Sequence, residues 1–337
     1  MFFKKKFGTG ALKDKPDMRD YDLREIASAP IVSWTEKTDF RSFPIFNQDG
    51  SSSCIAQATA KILGIENYLE EGKFVSLSAR DIYTRRSNFG LEGMYFRDAM
   101  EIGNKYGATI EQLMPSQEFD EVYMNLSNDR TFTTEYTAKI FKGGSFVSTP
   151  RDIESIASVL SKGKGLLLGF SFDMNEWNRE YPELATVSSM TYSHGVAAID
   201  FGLIKGKKYI VIEDSWGETV GKKGQRFLSE EWISSRCNAS WYFEDLANKE
   251  AVEIIEKYQF LNDLELGMKN EEVKKLQEIL QQMGFFPAGQ ECTGFYYGIT
   301  RQAVLDFQLK YGIVQSKEES GAGRFGPKTR EKLNSLQ

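Results

Sequence analysis

From Cys54 to Glu71 apolar residues recur at three- and four-residue steps, at Ile55, Ala58, Ile62, Ile65 and Leu69. This spacing predicts an amphipathic helix, which Gly72 ends. Helical patterns also run over Phe96–Lys105 and Pro150–Ser161. From Gly165 the period changes: Leu166–Phe172, Gly195–Phe201 and Tyr209–Glu213 read as short strands separated by Gly, Lys and Ser, as in an antiparallel sheet. A helical first half and a strand-rich second half predict an α+β domain. After Asp245 the helical period returns. Val273, Leu276, Ile279 and Leu280 form one stripe, Ala303, Val304, Phe307 and Tyr311 a second, and Thr329 to Leu336 a short third helix. Three short helices predict a small bundle. Two of their starts echo each other, Gly298-Ile-Thr-Arg and Gly326-Pro-Lys-Thr-Arg, which points to an internal duplication.

The expected organisation is an extended arm over residues 1–35, a main domain over 36–245, a linker over 246–262 and a helical domain over 263–337. A chain of 337 residues accommodates two domains. With 41% hydrophobic and 27% charged residues it has the make-up of an ordinary globular protein. No run approaches the about 18 apolar residues of a membrane span. The start, Met1-Phe-Phe-Lys-Lys-Lys-Phe-Gly, lacks the apolar run of a secretory signal. The net charge of −6, with no long run of Lys and Arg, argues against nucleic acid as a partner. From Asp263 onward ten basic and ten acidic residues balance, so the whole imbalance lies upstream.

Three scattered cysteines, Cys54, Cys237 and Cys292, do not form a disulfide framework. One histidine, His194, is too few for a zinc site of the usual Cys/His kind, so neither metal nor other cofactor is expected. Cys54 stands where the Ser-rich loop Asn47-Gln-Asp-Gly-Ser-Ser-Ser meets a helix start. There the partial positive charge and free N–H groups favour a thiolate. A buried, inert cysteine is the alternative. A hairpin folded near residues 205–206 brings His194 to Asp214–Gly217, and an imidazole beside a carboxylate is held in one tautomer. A core histidine satisfied by backbone is the alternative there.

Four segments in order resemble the papain-family cysteine proteases over roughly residues 36–245. Gln48, six residues before Cys54, resembles that family's active-site loop, with Asp39-Phe-Arg and Pro44-Ile-Phe-Asn upstream resembling its mature start. Gly93 resembles the glycine lining its substrate cleft. Tyr192-Ser-His194-Gly-Val-Ala-Ala resembles its histidine strand, and Asp214-Ser-Trp216-Gly217 with Gly221-Lys-Lys-Gly224-Gln-Arg-Phe its Asn-Ser-Trp-Gly element. The resemblance implies a two-lobed papain-like fold, a helical lobe followed by an antiparallel β lobe. It implies Cys54 as nucleophile, His194 as base, Gln48 with the Cys54 N–H as oxyanion donors, and Trp216 as a shield over the histidine. The chain departs from the family at Asp214, usually Asn, at Ser51, usually a disulfide-forming Cys, and at Ile55, usually aromatic.

Residues 263–337 resemble the peptidoglycan-binding domain type 1 family, on Leu264-Glu-Leu-Gly267, Val273-Lys-Lys-Leu-Gln277, Gly284-Phe-Phe-Pro, Thr293-Gly-Phe-Tyr-Tyr-Gly298-Ile-Thr300, Ala303-Val-Leu-Asp-Phe307-Gln308, Gly326-Pro-Lys-Thr329 and Leu333-Asn. Phe295, Tyr296 and Tyr297 are the expected glycan contacts, with packing of the bundle as their alternative use. The reading is a cysteine endopeptidase acting on a protein or peptide substrate at bacterial peptidoglycan. Without a secretory signal, it reaches the wall after lysis or in a phage particle. Alternatives are a hydrolase of peptidoglycan stem peptides, a wall amidase of another Cys-His class, and a non-catalytic wall-binding or virion component on the same scaffold.

Overall fold

A computed structural model describes residues 8–14, 32–186, 189–247, 258–287 and 290–336. Much of the expected arm (1–7 and 15–31) and the middle of the expected linker (248–257) lie outside the described residues. The chain separates into two compact units, one of Met1–Arg130 with Thr137–Val252, the other of Thr131–Tyr136 with Glu253–Gln337.

In chain order the first elements are β1 (Ala11–Leu12), α1 (Cys54–Glu71), α2 (Ala79–Tyr83), β2 (Met94–Tyr95), α3 (Phe96–Lys105), α4 (Glu121–Met124) and α5 (Phe132–Ile140). There follow β3 (Phe146–Ser148), α6 (Ile153–Leu160), β4 (Leu166–Phe172), α7 (Met174–Trp177), β5 (Tyr192–Ile204), β6 (Lys207–Glu213), β7 (Gln225–Ser229), α8 (Glu230–Arg236) and β8 (Cys237–Phe243). Six strands form one sheet in the order β3-β8-β4-β5-β6-β7, every neighbouring pair antiparallel. The α+β expectation holds, with helices first and the sheet after them.

The helix read from Cys54 to Glu71 has those bounds, but it is not a surface helix. All residues from Cys54 to Asn67 are buried. Its polar positions are therefore satisfied internally, as buried charges require: Lys61 pairs with Glu213 of β6 at 2.6 Å, and Glu66 with Lys164 at 2.8 Å. On one face of the sheet Leu168, Phe170, Val196, Ile210 and Ile212 join Ile156 of α6 in a single core. Alternate residues of each strand supply that face, as the pleat dictates.

The hairpin between β5 and β6 turns at Lys205-Gly206, pairing Ile204 with Lys207. Further along, Ala197 lies opposite Glu213 after a register shift between Ala198 and Asp200. β7 then lies along β6 with Arg226 opposite Ile212 and Gln225 opposite Glu213. These two pairings determine what stands beside Asp214.

In the second unit α9 (Glu271–Gln282), α10 (Gly298–Lys310) and α11 (Pro327–Leu336) enclose a core that includes Val273, Leu276, Leu280, Val304, Phe307 and Leu333. The echo between two helix starts is structural. The Gln277 amide donates to Phe295 O and Thr300 Oγ1 while accepting from Gly294 N. The Gln308 amide likewise donates to Arg324 O and Thr329 Oγ1 while accepting from Gly323 N. Both glutamines are buried, so each bond replaces water that the core excludes. Among the described residues no helix is long and apolar enough to cross a membrane.

Candidate active site

Cys54 is the first residue of α1, with Ser53 as N-cap in the Ser-rich loop. Ser51 Oγ ties that loop by donating to Gln48 O (2.7 Å) and meeting Ser53 Oγ (2.8 Å). The thiol is fully buried. Strand β5 approaches α1 at this point because position 195 is glycine: an added Cβ would lie 2.8 Å from Ile55 Cγ1 and 3.3 Å from Ile55 Cα. Burial, the largest influence on the thiol, pushes its pKa up. Hydrogen bonding and charge from His194, with the backbone of Gly195 and Gly10, reverse this and hold it below the ordinary thiol value. At Cys237 burial outweighs the Ala239 backbone and the Arg151 charge and pushes the thiol up to about 12. All three cysteines are free thiols.

His194, on β5, is also fully buried. Its Nε2 meets Asp214 Oδ1 at 2.8 Å. Among the described residues Nδ1 has no hydrogen-bond partner within bonding distance, and it is the ring atom left for Cys54, whose thiol acts on the imidazole. Burial alone lowers the imidazole pKa, but the Asp214 charge and hydrogen bond, with the Cys54 thiol, raise it to about 9. Asp214 is held down at about 2: burial raises it, and His194, Arg226 and Trp177 more than offset that. Trp216 lies over the imidazole with ring centres 4.7 Å apart and is itself buried.

The Gln48 side chain is fixed at both ends. Its Oε1 accepts from Ser215 Oγ (2.6 Å), and its Nε2 donates to Ser51 O (2.5 Å) and Gly8 O (3.1 Å). Gly8 belongs to the arm. Residues 8–14 therefore lie in the cleft rather than away from it. Trp216 Nε1 also donates to Gly8 O (3.3 Å), Met94 N donates to Gly10 O (2.8 Å), and Arg97 N donates to Asp14 Oδ2 (3.1 Å). β1 pairs in parallel with β2, beside Gly93, whose Cα lies where an added Cβ would reach within 2.5 Å of Gly10 O. The arm fits because it is glycine where it meets the loop. An added Cβ would come to 1.8 Å from Ser51 O at Gly8, and to 2.0 Å from Ser52 O at Gly10. This occupant lies against Gln48, Trp216 and the Cys54 thiol, all of them buried.

The structure thus brings Cys54, His194, Asp214, Gln48, Trp216 and Gly93 to one cleft. Three residues beside them were not singled out from sequence. Ser215 orients Gln48. Trp177 Nε1 (2.9 Å) and Arg226 Nε (3.0 Å) both donate to Asp214 Oδ2. Arg226 lies within a segment used only as a family landmark, and Trp177 sits on the four-residue α7; neither has a local signal of its own.

In the second unit the three expected glycan contacts separate. Phe295 and Tyr297 stack with ring centres 4.0 Å apart, Tyr297 being 59% exposed. Tyr296 points the other way. Its ring is in the core, and its hydroxyl donates to Gly323 O at 3.0 Å, so it cannot touch a glycan. Tyr297 N donates to Phe295 O at 3.0 Å, and this tight turn around Tyr296 sets its side chain apart from the stacked pair.

Comparison with known proteins agrees with this geometry. The papain family cysteine protease model matches residues 31–257, and the peptidoglycan binding domain model matches residues 269–333. Chymopapain from Carica papaya is 22% identical over 251 residues, covering 71% of this chain and 68% of that protein. Cathepsin K from Mus musculus is 23% identical over 195 residues, covering 55% of this chain and 56% of its own length. The solved structure of xylellain, a cysteine protease from Xylella fastidiosa, superposes with a TM-score of 0.59 at 19% identity, over 73% of this chain and 99% of that one. With one family model spanning most of its length and a second matching the region that follows, the chain belongs to the papain family of cysteine proteases and carries a C-terminal peptidoglycan-binding domain.

Proposed function

We propose that the chain is a cysteine endopeptidase that cleaves peptide bonds at bacterial peptidoglycan, with Cys54 as nucleophile, His194 as proton carrier, Asp214 as its partner and Gln48 as oxyanion donor. The observation that carries this is the buried line Cys54–His194–Asp214, with Nε2 committed to the carboxylate and Nδ1 left for the thiol. A thiol held below its ordinary pKa beside an imidazole raised to about 9 favours the thiolate–imidazolium pair near neutral pH.

The thiolate attacks the substrate carbonyl carbon, and the carbonyl π pair moves to oxygen. The Gln48 amide and the Cys54 N–H receive that oxyanion, a stabilisation commonly of about 3 kcal/mol. Gly8 O, already accepting from Gln48 Nε2, stands in for it. As the C–N bond breaks, His194 passes its proton to the departing amine, leaving an acyl-thioester. Water, deprotonated by the now neutral His194, hydrolyses the thioester and restores the thiol. Asp214 keeps Nε2–H oriented throughout, and Trp216 keeps water from that bond. Substrate enters only after residues 8–14 leave the cleft.

The C-terminal domain supports peptidoglycan as the location and favours a second substrate class, the peptide stems of the wall itself. Incubation with casein and with purified peptidoglycan, wild type against Cys54→Ala, decides between them. Release of casein fragments alone identifies a protein endopeptidase, and new amino groups in peptidoglycan alone a stem-peptide hydrolase. Equal behaviour of wild type and Cys54→Ala on both would refute the enzymatic reading.

A further inference from the structure

Asp214 places a carboxylate where a neutral amide is usual in the family, and the structure buries it completely. A buried carboxylate needs a lasting counter-charge. His194 supplies one only while protonated, and in the proposed reaction it gives that proton away. Arg226 is placed to fill the gap. Its guanidinium is 1% exposed, Nε donates to Asp214 Oδ2 at 3.0 Å, and Nη1 is pinned by Arg179 O at 2.7 Å. The group lies 5.1 Å from the Trp177 ring centre and 5.9 Å from that of Trp216. Trp177 Nε1 donates to the same oxygen, so Oδ1 alone remains for His194. The other charged or titratable groups facing this cluster are Cys54 and Lys61 on α1 and Glu213 on β6. Lys61 and Glu213 neutralise each other at 2.6 Å. Arg226 is therefore the one net cation beside Asp214 besides His194 among the described residues.

We infer that Arg226 is a positioning residue for the reaction: it holds Asp214 as an ionised, correctly turned acceptor at every stage, and keeps the carboxylate from gripping the His194 proton too tightly for transfer. The inference rests on the proposed pairing of Cys54, His194 and Asp214. It extends that pairing by one charge, carried on β7 into place opposite Ile212.

His194 is the only histidine, so one labelled imidazole signal reports the site in the full chain. The experiment follows the 13Cε1–H resonance of His194 against pH in wild type, Arg226→Met, Arg226→Lys and Cys54→Ala, with the pH profile of kcat/KM alongside. Removing the cation leaves Asp214 to act on His194 undiluted. The Arg226→Met midpoint and the alkaline limb should then rise together, by roughly half to one pH unit, while Arg226→Lys stays near wild type. A purely structural arginine would lower thermal stability and leave the midpoint where it was; that result, or a fall, overturns the inference. Should Arg226→Met not fold, Asp214→Asn and Asp214→Asn/Arg226→Gln decide. Asp214→Asn strands a buried cation, so the second change should recover much of the melting temperature that the first loses, and a double variant no more stable than the single one overturns the inference. Cys54→Ala separates the underlying pairing from this extension. If it leaves the His194 midpoint unchanged in the wild-type background, the Cys54–His194 pairing itself is wrong, whatever Arg226 does.

Discussion

Replacing Gly10 by alanine should open the cleft while Cys54, His194, Asp214 and Gln48 themselves stay unaltered. The new Cβ would stand 2.0 Å from Ser52 O and 2.7 Å from Ser52 Cβ, far inside contact distance, so the arm must withdraw by more than an ångström. That movement breaks the bond from Met94 N to Gly10 O and the contact of the Gly10 backbone with the thiol. Gly8 O then loses its donors Gln48 Nε2 and Trp216 Nε1. Four such contacts at about 1 kcal/mol each give a loss of about 4 kcal/mol, or roughly a thousandfold in the ratio of closed to open arm. The assay is the rate of iodoacetamide capture at each cysteine near neutral pH, read by peptide mapping. Cys54 in Gly10→Ala should react at least about tenfold faster than in wild type. Cys237, which is pushed up to about 12, and Cys292, raised by burial, serve as unchanged internal clocks in both proteins. Gly8→Ala should behave in the same way, its Cβ meeting Ser51 O at 1.8 Å. Activity on a small peptide should rise in parallel. If Cys54 in wild type reacts as fast as in Gly10→Ala, the arm leaves the cleft freely and does not govern access. If all three cysteines react equally, the activated thiol itself is refuted.

Four further outcomes follow from the site and the second unit. Asp214→Asn removes the charge that lifts His194 to about 9, so the alkaline limb of kcat/KM should fall toward or below the ordinary histidine value of about 6.5; a limb that stays or rises would show that Asp214 does not orient His194. The same shift links to folding. The folded pKa of His194 lies above its unfolded value, so its stabilisation is complete below about pH 6.5 and disappears as pH rises through about 9; melting temperatures should decline across that window in wild type and less so in Asp214→Asn. Gln48→Ala should lower kcat by about a hundredfold or more with little change in KM, and a loss confined to KM would remove Gln48 from the oxyanion site. In the C-terminal domain Tyr297→Ala should weaken pelleting with peptidoglycan at unchanged stability, whereas Tyr296→Phe, which strands a buried Gly323 carbonyl, should cost about 1 kcal/mol of stability and leave pelleting intact; the reverse pattern would reassign the wall-binding face.

The parts of this protein that its sequence determined are those written in local period and turn chemistry. The helix from Cys54 to Glu71 has the bounds its apolar spacing marks, and the turn at Lys205-Gly206 brings His194 near Asp214, with a register shift between Ala198 and Asp200 that strand length does not foretell. The duplication in the C-terminal bundle was visible as two similar helix starts, and the twin Gln–Thr bonds explain it. Tertiary structure decided the rest. Nothing local distinguishes Arg226 in a short polar segment or Trp177 on a single helical turn, because both acquire their partner from chain 12 and 37 residues away. The burial of α1 on nearly every side, beyond its apolar stripe, depends on what packs around it, and so does the pairing of Lys61 with Glu213. Gly8-Thr-Gly10 reads only as part of an extended arm, since a glycine's lack of a side chain carries meaning only once Ser51 and Ser52 lie against it. Period and turns bias each residue through its near neighbours. A buried charge or a close backbone approach is selected by atoms that only folding brings within a few ångströms.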